Sequence, residues 1–194
     1  KEYFRRHDGQ AVTCDDFVNA MEWAYQQQQA DADLSVFRRW YNQAGTPNVA
    51  VQSRYDAVNQ QLTLTIKQSC PKVGVETLQA DIEKLPFHIP ISIALLTKDG
   101  KALPFEFDGG HYDEVLLHLK DEQQKFIFER VASDAIPSIL RNFSAPVIID
   151  YDYSQEDLMT LAAHDSDHYN RWEAVQIIAT NEIKRLYNLD ALSE

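Results

Sequence analysis

Leu62-Thr63-Leu64-Thr65-Ile66-Lys67 and Ile89-Pro90-Ile91-Ser92-Ile93-Ala94-Leu95 decide the fold. In each, a large apolar residue recurs at every second position. That is the period of a pleated strand with one face turned to a core. Upstream of the first, Val49, Val51 and Tyr55 alternate with polar residues, and Asp56–Gln60 supplies a turn, so residues 49–67 read as a hairpin with one wet face. Beyond the second, Asp99-Gly100 is a two-residue turn signal leading to Leu103, Phe105 and Phe107. Asp108-Gly109-Gly110 then breaks the chain before Val115, Leu117 and Leu119. Phe126 and Phe128, Ile136–Arg141 and Pro146–Tyr153 complete the run. Seven or eight short strands with turns between them predict a mainly β chain built on an Ig-like antiparallel β-sandwich, with helical segments at both ends.

The flanks have helical spacing. Glu2-Tyr3-Phe4-Arg5-Arg6 reads as the last turn of a helix begun upstream, with basic residues near its end and Gly9 to stop it. The first Met is Met21, which fits a piece of a longer chain. Thr13 is placed to cap a helix whose first turn carries Asp15 and Asp16, with Phe17, Met21, Ala24 and Tyr25 on its apolar face. Asp33 is expected to cap a second short helix, with Val36, Phe37, Trp40 and Tyr41 inward and Arg38 and Arg39 outward. Gly45 and Pro47 end it. On the far side Ser154 and Asp157 resemble a capping box for a helix bearing Leu158, Met159, Leu161 and Ala162. A longer helix follows, with Trp172, Val175, Ile178, Ala179, Ile183 and Leu186. The resulting division is residues 1–46, 47–153 and 154–194.

Composition bounds the chemistry. A 194-residue chain with 44% hydrophobic and 25% charged residues buries one good core. A net charge of −12 with no basic stripe argues against a nucleic-acid partner. No apolar run approaches the ~18–20 residues of a membrane span, so no membrane partner is expected. Two cysteines, Cys14 and Cys70, are too few for a disulfide framework and fit a reducing compartment, so a cytoplasmic location is expected.

Two local constellations could carry a metal. His164-Asp165-Ser166-Asp167-His168 places two histidines four apart, as HExxH does. Asp and Ser favour caps and turns over a helix interior, so the stretch reads instead as a solvated junction between helices. Asp108-Gly109-Gly110-His111-Tyr112-Asp113-Glu114 is rich in oxygen donors without EF-hand spacing, and reads as a solvated turn. No GxSxG and no Gly-rich phosphate loop is present. The residues alone also allow a free-standing sandwich that binds a carbohydrate or protein ligand. That reading needs exposed coplanar aromatics on one sheet.

Two passages carry a resemblance. Tyr3-Phe4-Arg5-Arg6-His7-Asp8-Gly9-Gln10-Ala11-Val12-Thr13-Cys14-Asp15-Asp16-Phe17 and Asp33-Leu34-Ser35-Val36-Phe37-Arg38-Arg39-Trp40-Tyr41-Asn42-Gln43-Ala44-Gly45-Thr46-Pro47 resemble bacterial aminopeptidase N. Asn142-Phe143-Ser144-Ala145-Pro146-Val147 and Arg171-Trp172-Glu173-Ala174 extend the likeness over nearly the whole chain, least at Ser69–Pro86. The resemblance implies the end of a zinc-dependent catalytic domain, a β-sandwich, and the first helices of a C-terminal helical domain. The parent would remove N-terminal residues from peptides with zinc-activated water. Its zinc ligands, base and amine-binding glutamates would all lie before Lys1. Met21-Glu22 is only superficially similar to the family's GxMEN motif, with Trp23 in place of Asn and no preceding glycine.

No catalytic, cofactor-binding or metal residue is therefore expected in this chain. It should be inactive by itself and keep no zinc. Its partners would be the catalytic and C-terminal domains of the same polypeptide, with peptide substrates bound only by the intact enzyme. The expected junction anchors are Phe37, Trp40 and Tyr41 at one side, and Leu158, Leu161 and Trp172 at the other. The apolar faces of the Phe17–Tyr25 and Trp172–Leu186 helices should fold back on the sandwich or pair with another chain.

Overall fold

The computed structural model describes residues 1–79, 81 and 83–191, with side chains to residue 187. Nine strands and five α-helices are present among them. The hairpin read from residues 49–67 is β1 (Asn48–Asp56) and β2 (Gln61–Ser69), paired antiparallel from Asn48↔Ser69 to Asp56↔Gln61. The later strands are β3 (Ile89–Leu96), β4 (Phe105–Phe107), β5 (Gly110–Tyr112), β6 (Glu114–Leu119), β7 (Gln123–Phe128), β8 (Ile136–Ile139) and β9 (Ile148–Asp150).

These strands make a four-stranded sheet in the order β7-β2-β1-β9, a three-stranded sheet β6-β3-β8, and the hairpin β4-β5. The core lies between the first two. Leu62, Leu64, Ile66, Phe126 and Phe128 from one side meet Ile89, Ile91, Ile93, Leu117 and Leu119 from the other, all buried. The period-two alternation is visible along β7, where Phe126 and Phe128 point inward and Ile127 between them is 47% exposed.

Three features depart from the expected sandwich. First, β9 pairs with β1 in parallel (Asn48↔Ile148 to Ala50↔Asp150), so the first sheet is not wholly antiparallel. The chain crosses from β8 in one sheet to β9 in the other through a tight corner, and that crossing sets the direction in which β9 enters. Second, β9 is only three residues long. Pro146 has no N–H to donate to a ladder, and at the other end the Tyr153 N–H turns back to the Tyr151 carbonyl at 3.0 Å. Third, Asp108–Glu114 is not simply a solvated break. Asp108 (φ +48°) and Gly109 (φ +77°) form the left-handed turn of the β4–β5 hairpin, in which His111 Nε2 meets Glu106 Oε1 at 3.1 Å.

Thr97–Gly100 makes the turn signalled by Asp99-Gly100, closed by Thr97 N–H to Lys101 O at 2.8 Å. Gly100 has φ +80°, and a Cβ built there would lie 2.5 Å from the His164 side chain. Both the left-handed backbone and the close approach of the helical side demand glycine. Gly100→Ala should destabilise the fold by about 1–3 kcal/mol, read as a lower urea midpoint.

On the N-terminal side, α1 (Glu2–His7) packs on α2 (Cys14–Gln26), and Thr13 caps α2 in a box with Asp16. The inward residues of α2 are Val18 and Ala20. Phe17, Met21 and Tyr25, expected on its core face, are exposed. This helix rests on α1 and on the 32–38 segment rather than on the sandwich. The Leu34 N–H donates to Glu22 at 2.8 Å, and Arg38 reaches Asn19 and Glu22 at 2.8 and 2.9 Å.

The helix expected after Asp33 shrinks to α3 (Arg39–Asn42). The Asp33 carboxylate takes the Ser35 N–H at 2.8 Å and holds a turn instead. Arg38 and Arg39 are not free outward charges, since Arg39 donates to the Pro86 carbonyl. At the C-terminal side, α4 (Gln155–His164) and α5 (His168–Ala191) form an antiparallel pair. Leu158, Leu161 and Ala174 are buried against Leu96 and Ile136. Farther along α5, Val175, Ile183 and Leu186 remain exposed and do not fold back. Among the described residues no helix is long and apolar enough to cross a membrane.

Candidate functional site

The strand β3 is buried on both faces, including Ser92, Ala94 and Leu96 on the side away from the sandwich core. On that side Leu96 packs against Leu158 and Leu161 of the helices, and Ser92 lies under a polar cluster at the corner where sandwich and helices meet. Its centre is Arg141, with only 8% of its side chain exposed. The guanidinium donates through Nη1 to Asp165 Oδ1 at 2.7 Å and to Ser138 Oγ at 2.9 Å. Through Nε it reaches Glu114 Oε2 at 2.8 Å, and through Nη2 Ser166 Oγ at 2.8 Å. Ser138 Oγ donates to Asp165 Oδ2 at 2.6 Å and accepts from Asn170 Nδ2 at 2.7 Å. Asp165, with a side chain 0% exposed, also accepts the Asp167 N–H at 2.8 Å.

The participants are gathered from several elements. Ser92, Glu114 and Ser138 stand on β3, β6 and β8. Asp165 to Asp167 form the α4–α5 turn, and Asn170 lies in the first turn of α5. Asp167 caps α5 by accepting the Asn170 N–H at 2.9 Å, and its other oxygen takes the Asn142 N–H at 3.0 Å. Ser144 Oγ accepts the Ser92 N–H at 2.9 Å. Leu140, Asn142 and Phe143 all have φ between +50° and +65°. Left-handed backbone at non-glycine residues persists only where the surroundings fix it, and here bonds from both the sheet and the helix turn do so. Among the described residues no buried side-chain polar atom lacks a hydrogen-bond partner.

The electrostatics follow from that geometry. Burial works against the charged guanidinium of Arg141, but the Glu114 hydrogen bond and the Asp165 charge outweigh it and hold its pKa above the usual value. Burial likewise pushes the Glu114 carboxyl up. The hydrogen bonds from Ser92 and Arg141, with the Arg141 charge, more than reverse this and place it below its ordinary 4.5. A depressed carboxyl pKa contributes stability that is present above the unfolded value and lost as pH falls through the folded one. The fold should therefore weaken as pH drops below about 4.5. In Glu114→Gln that part of the decline should disappear from urea midpoints taken across the acid range.

This corner corrects the reading of His164–His168 as solvated. Asp165 and Asp167 are 2% and 5% exposed and are the cluster's main acceptors. His164 ends α4 against Gly100 and His168 begins α5, so the histidines belong to different helices and not to one helical face. Among the described residues no three His, Cys, Asp or Glu side chains are grouped to hold a metal ion. Cys14 and Cys70 are both free, and burial pushes the Cys70 thiol up.

Among the expected anchors, Trp40 packs at 4.6 Å on Phe87 and donates its indole N–H to the His88 carbonyl at 3.1 Å. Leu158 and Leu161 are buried. Trp172 is 56% exposed, and Phe37 and Tyr41 line an open groove of about 530 Å³ with Pro90 and Pro146. At its rim His88 Nε2 and His118 Nδ1 stand 2.9 Å apart, a pair created by the Pro90↔His118 register. Burial, then His118 and Lys120, push His88 down. On the described strands Tyr112 is the single exposed aromatic ring, so the row of rings a sugar-stacking platform needs is missing there.

The architecture is an Ig-like sandwich continued by an antiparallel helix pair. The profile of the DUF3458 family, described as a domain of unknown function with an Ig-like fold, matches residues 45–152, and the chain belongs to that family. A second profile, DUF3458_C, described as ARM repeats, matches residues 155–194. The chain is 42% identical to aminopeptidase N of Escherichia coli over 182 residues, covering 94% of this chain and 20% of that protein. Aminopeptidase N of Haemophilus influenzae is 36% identical over 183 residues, again 94% of this chain and 20% of the relative. The solved structure of Legionella pneumophila aminopeptidase A in complex with aspartic acid superposes with a TM-score of 0.73 at 30% identity. It covers 95% of this chain and 19% of that one. The chain thus spans about a fifth of the length of the relatives it matches.

Proposed function

We propose that this chain is the spacer of an N-type aminopeptidase, a non-catalytic portion that fixes the geometry between two larger bodies. Residues 1–46 would close the catalytic domain, 47–153 form the spacer sandwich, and 154–194 open the C-terminal helical domain. Zinc and peptide substrates would be held by the rest of the polypeptide, in the cytoplasm. The observation that carries this reading is the Arg141–Asp165 clamp, which ties the helix corner to three strands in a region aligned with aminopeptidase N. A spacer has to transmit orientation, and a buried, fully bonded polar cluster fixes orientation in a way apolar contact alone does not. The groove at Phe37, Trp40 and Tyr41 would then lie at the junction between the catalytic domain and the sandwich.

The test has two parts. The isolated chain, given an alanyl reporter substrate with and without added zinc, should release no product. Chelator-sensitive hydrolysis by this chain would overturn the non-catalytic reading. In an intact aminopeptidase N carrying this segment, loosening the clamp should lower turnover of peptides while leaving the zinc content unchanged. Unaltered peptide turnover in a protein whose helix corner has demonstrably come loose would remove the spacer role.

A further inference from the structure

A cavity of about 180 Å³ lies behind the clamp, where the β8–β9 side of the sandwich meets α4 and α5. Its apolar wall includes Leu161 and Ile177, and three tyrosine rings, Tyr151, Tyr153 and Tyr169, line it as well. Two of the three phenols are already engaged. Tyr151 shares a hydrogen bond with Ser53 at 2.7 Å, and Tyr153 donates to the Pro137 carbonyl at 2.6 Å. What these two chiefly offer the cavity is aromatic ring, not hydroxyl.

One acid also lines the space. Glu173 is half-buried on α5, and among the described residues no hydrogen bond or ion pair engages its carboxylate. Its neighbours at the same corner differ. Asp157 meets Lys98 at 2.7 Å, Asp165 meets Arg141 at 2.7 Å, and Asp167 caps a helix. A half-buried carboxylate with no partner leaves its charge free to pair, and a cation entering the cavity would supply that partner. Aromatic rings attract the same kind of charge, most strongly where water is excluded. The apolar wall adds a preference for a hydrocarbon stem.

We propose that this cavity binds a primary ammonium group carried on a short apolar stem. An anion would face Glu173, and a neutral hydrocarbon would leave it unpaired. A free monoamine and a lysine side chain of another polypeptide segment present the same chemistry, so the probes must separate them.

The experiment titrates the 194-residue chain with n-butylammonium chloride and follows the NMR signals of the Tyr169 ring and the Ile177 methyls. Saturable shifts are expected, with n-butanol at least about tenfold weaker, a difference of roughly 1.4 kcal/mol. Glu173→Gln should weaken the ammonium by a similar factor while leaving n-butanol unchanged. Ile177→Phe, which fills the space, should abolish binding of both, with circular dichroism confirming that it folds. Comparable binding of Nα-acetyl-lysine amide assigns the site to a lysine side chain. Exclusion of that probe with retention of n-butylammonium assigns it to a free monoamine. Equal affinity for n-butanol and n-butylammonium, indifference to Glu173→Gln, or no saturable shift with the ammonium would each overturn the proposal.

Discussion

Arg141→Leu is expected to destabilise the chain by about 3–5 kcal/mol. The substitution removes the cation but leaves Asp165, whose side chain has no exposed surface, with only Ser138 and one backbone N–H for company. An uncompensated buried carboxylate is what makes breaking such a pair far more costly than never having built it. Urea denaturation reads the loss directly. Arg185→Leu serves as the contrast, because its bond to Glu182 lies on the exposed part of α5 with both side chains more than half exposed. It should cost less than about 1 kcal/mol. Adding Asp165→Asn to Arg141→Leu should restore part of the loss, and the double-mutant cycle should show coupling of about 1–3 kcal/mol. Amide exchange should locate the damage, with α4 and the first turns of α5 opening well before β2 and β3. A midpoint for Arg141→Leu within the error of the unsubstituted chain would mean that the corner is held by Leu158 and Leu161 alone.

Much of the fold was legible because its signals are local. The 49–67 hairpin, the Asp99-Gly100 turn, the Thr13 cap and the Ser154 cap each rest on residues within a few positions of one another. The features that went unread depend on pairs distant in the chain. Arg141 and Glu114 are 27 residues apart, and Arg141 and Asp165 24. No periodicity announces such a network. The single signal available was compositional: Ala94 and Leu96 stand where β3 should have shown a wet face, which implied something packed over it. The parallel entry of β9 was hidden for the same reason, since strand direction depends on where the chain crosses between sheets.

The helix faces illustrate a different limit. Phe17, Met21 and Tyr25 on α2, and Val175, Ile183 and Leu186 on α5, have the spacing of buried faces yet lie exposed. Spacing identifies a face able to pack, while the partner that covers it is written elsewhere. Asn142-Phe143-Ser144-Ala145-Pro146-Val147, singled out by resemblance, matters here through its backbone. Its left-handed lead-in carries Arg141 under the sheet, and Ser144 pins the passage to Ser92. That is a structural reason for the sequence likeness, independent of any active site.

Phe128→Ala should cost about 3–5 kcal/mol, and by another route. Phe128 has no exposed surface and sits edge-on to Phe105 at 5.0 Å and beside Phe107 at 5.4 Å, so its ring links the four-stranded sheet to the β4–β5 hairpin. Truncation leaves a cavity walled by rings that β-strand backbones hold in place, and a rigid wall relaxes little. The neighbouring Ile127→Ala is the decisive companion. At 47% exposure on the opposite face of the same strand it should cost less than about 1 kcal/mol, although it too removes a large apolar side chain. A one-residue slip of β7 against β2 would exchange these two outcomes, because every side chain on the strand would change faces. The pair of urea midpoints therefore tests the Leu62↔Phe128 register itself. With Phe128→Ala the exchange protection of β2 and β7 should fall together, where Arg141→Leu opens the helix corner first. Damage that spread identically in both variants would mean that sandwich and helices unfold as one unit, and that the clamp joins them more tightly than its position at the corner implies.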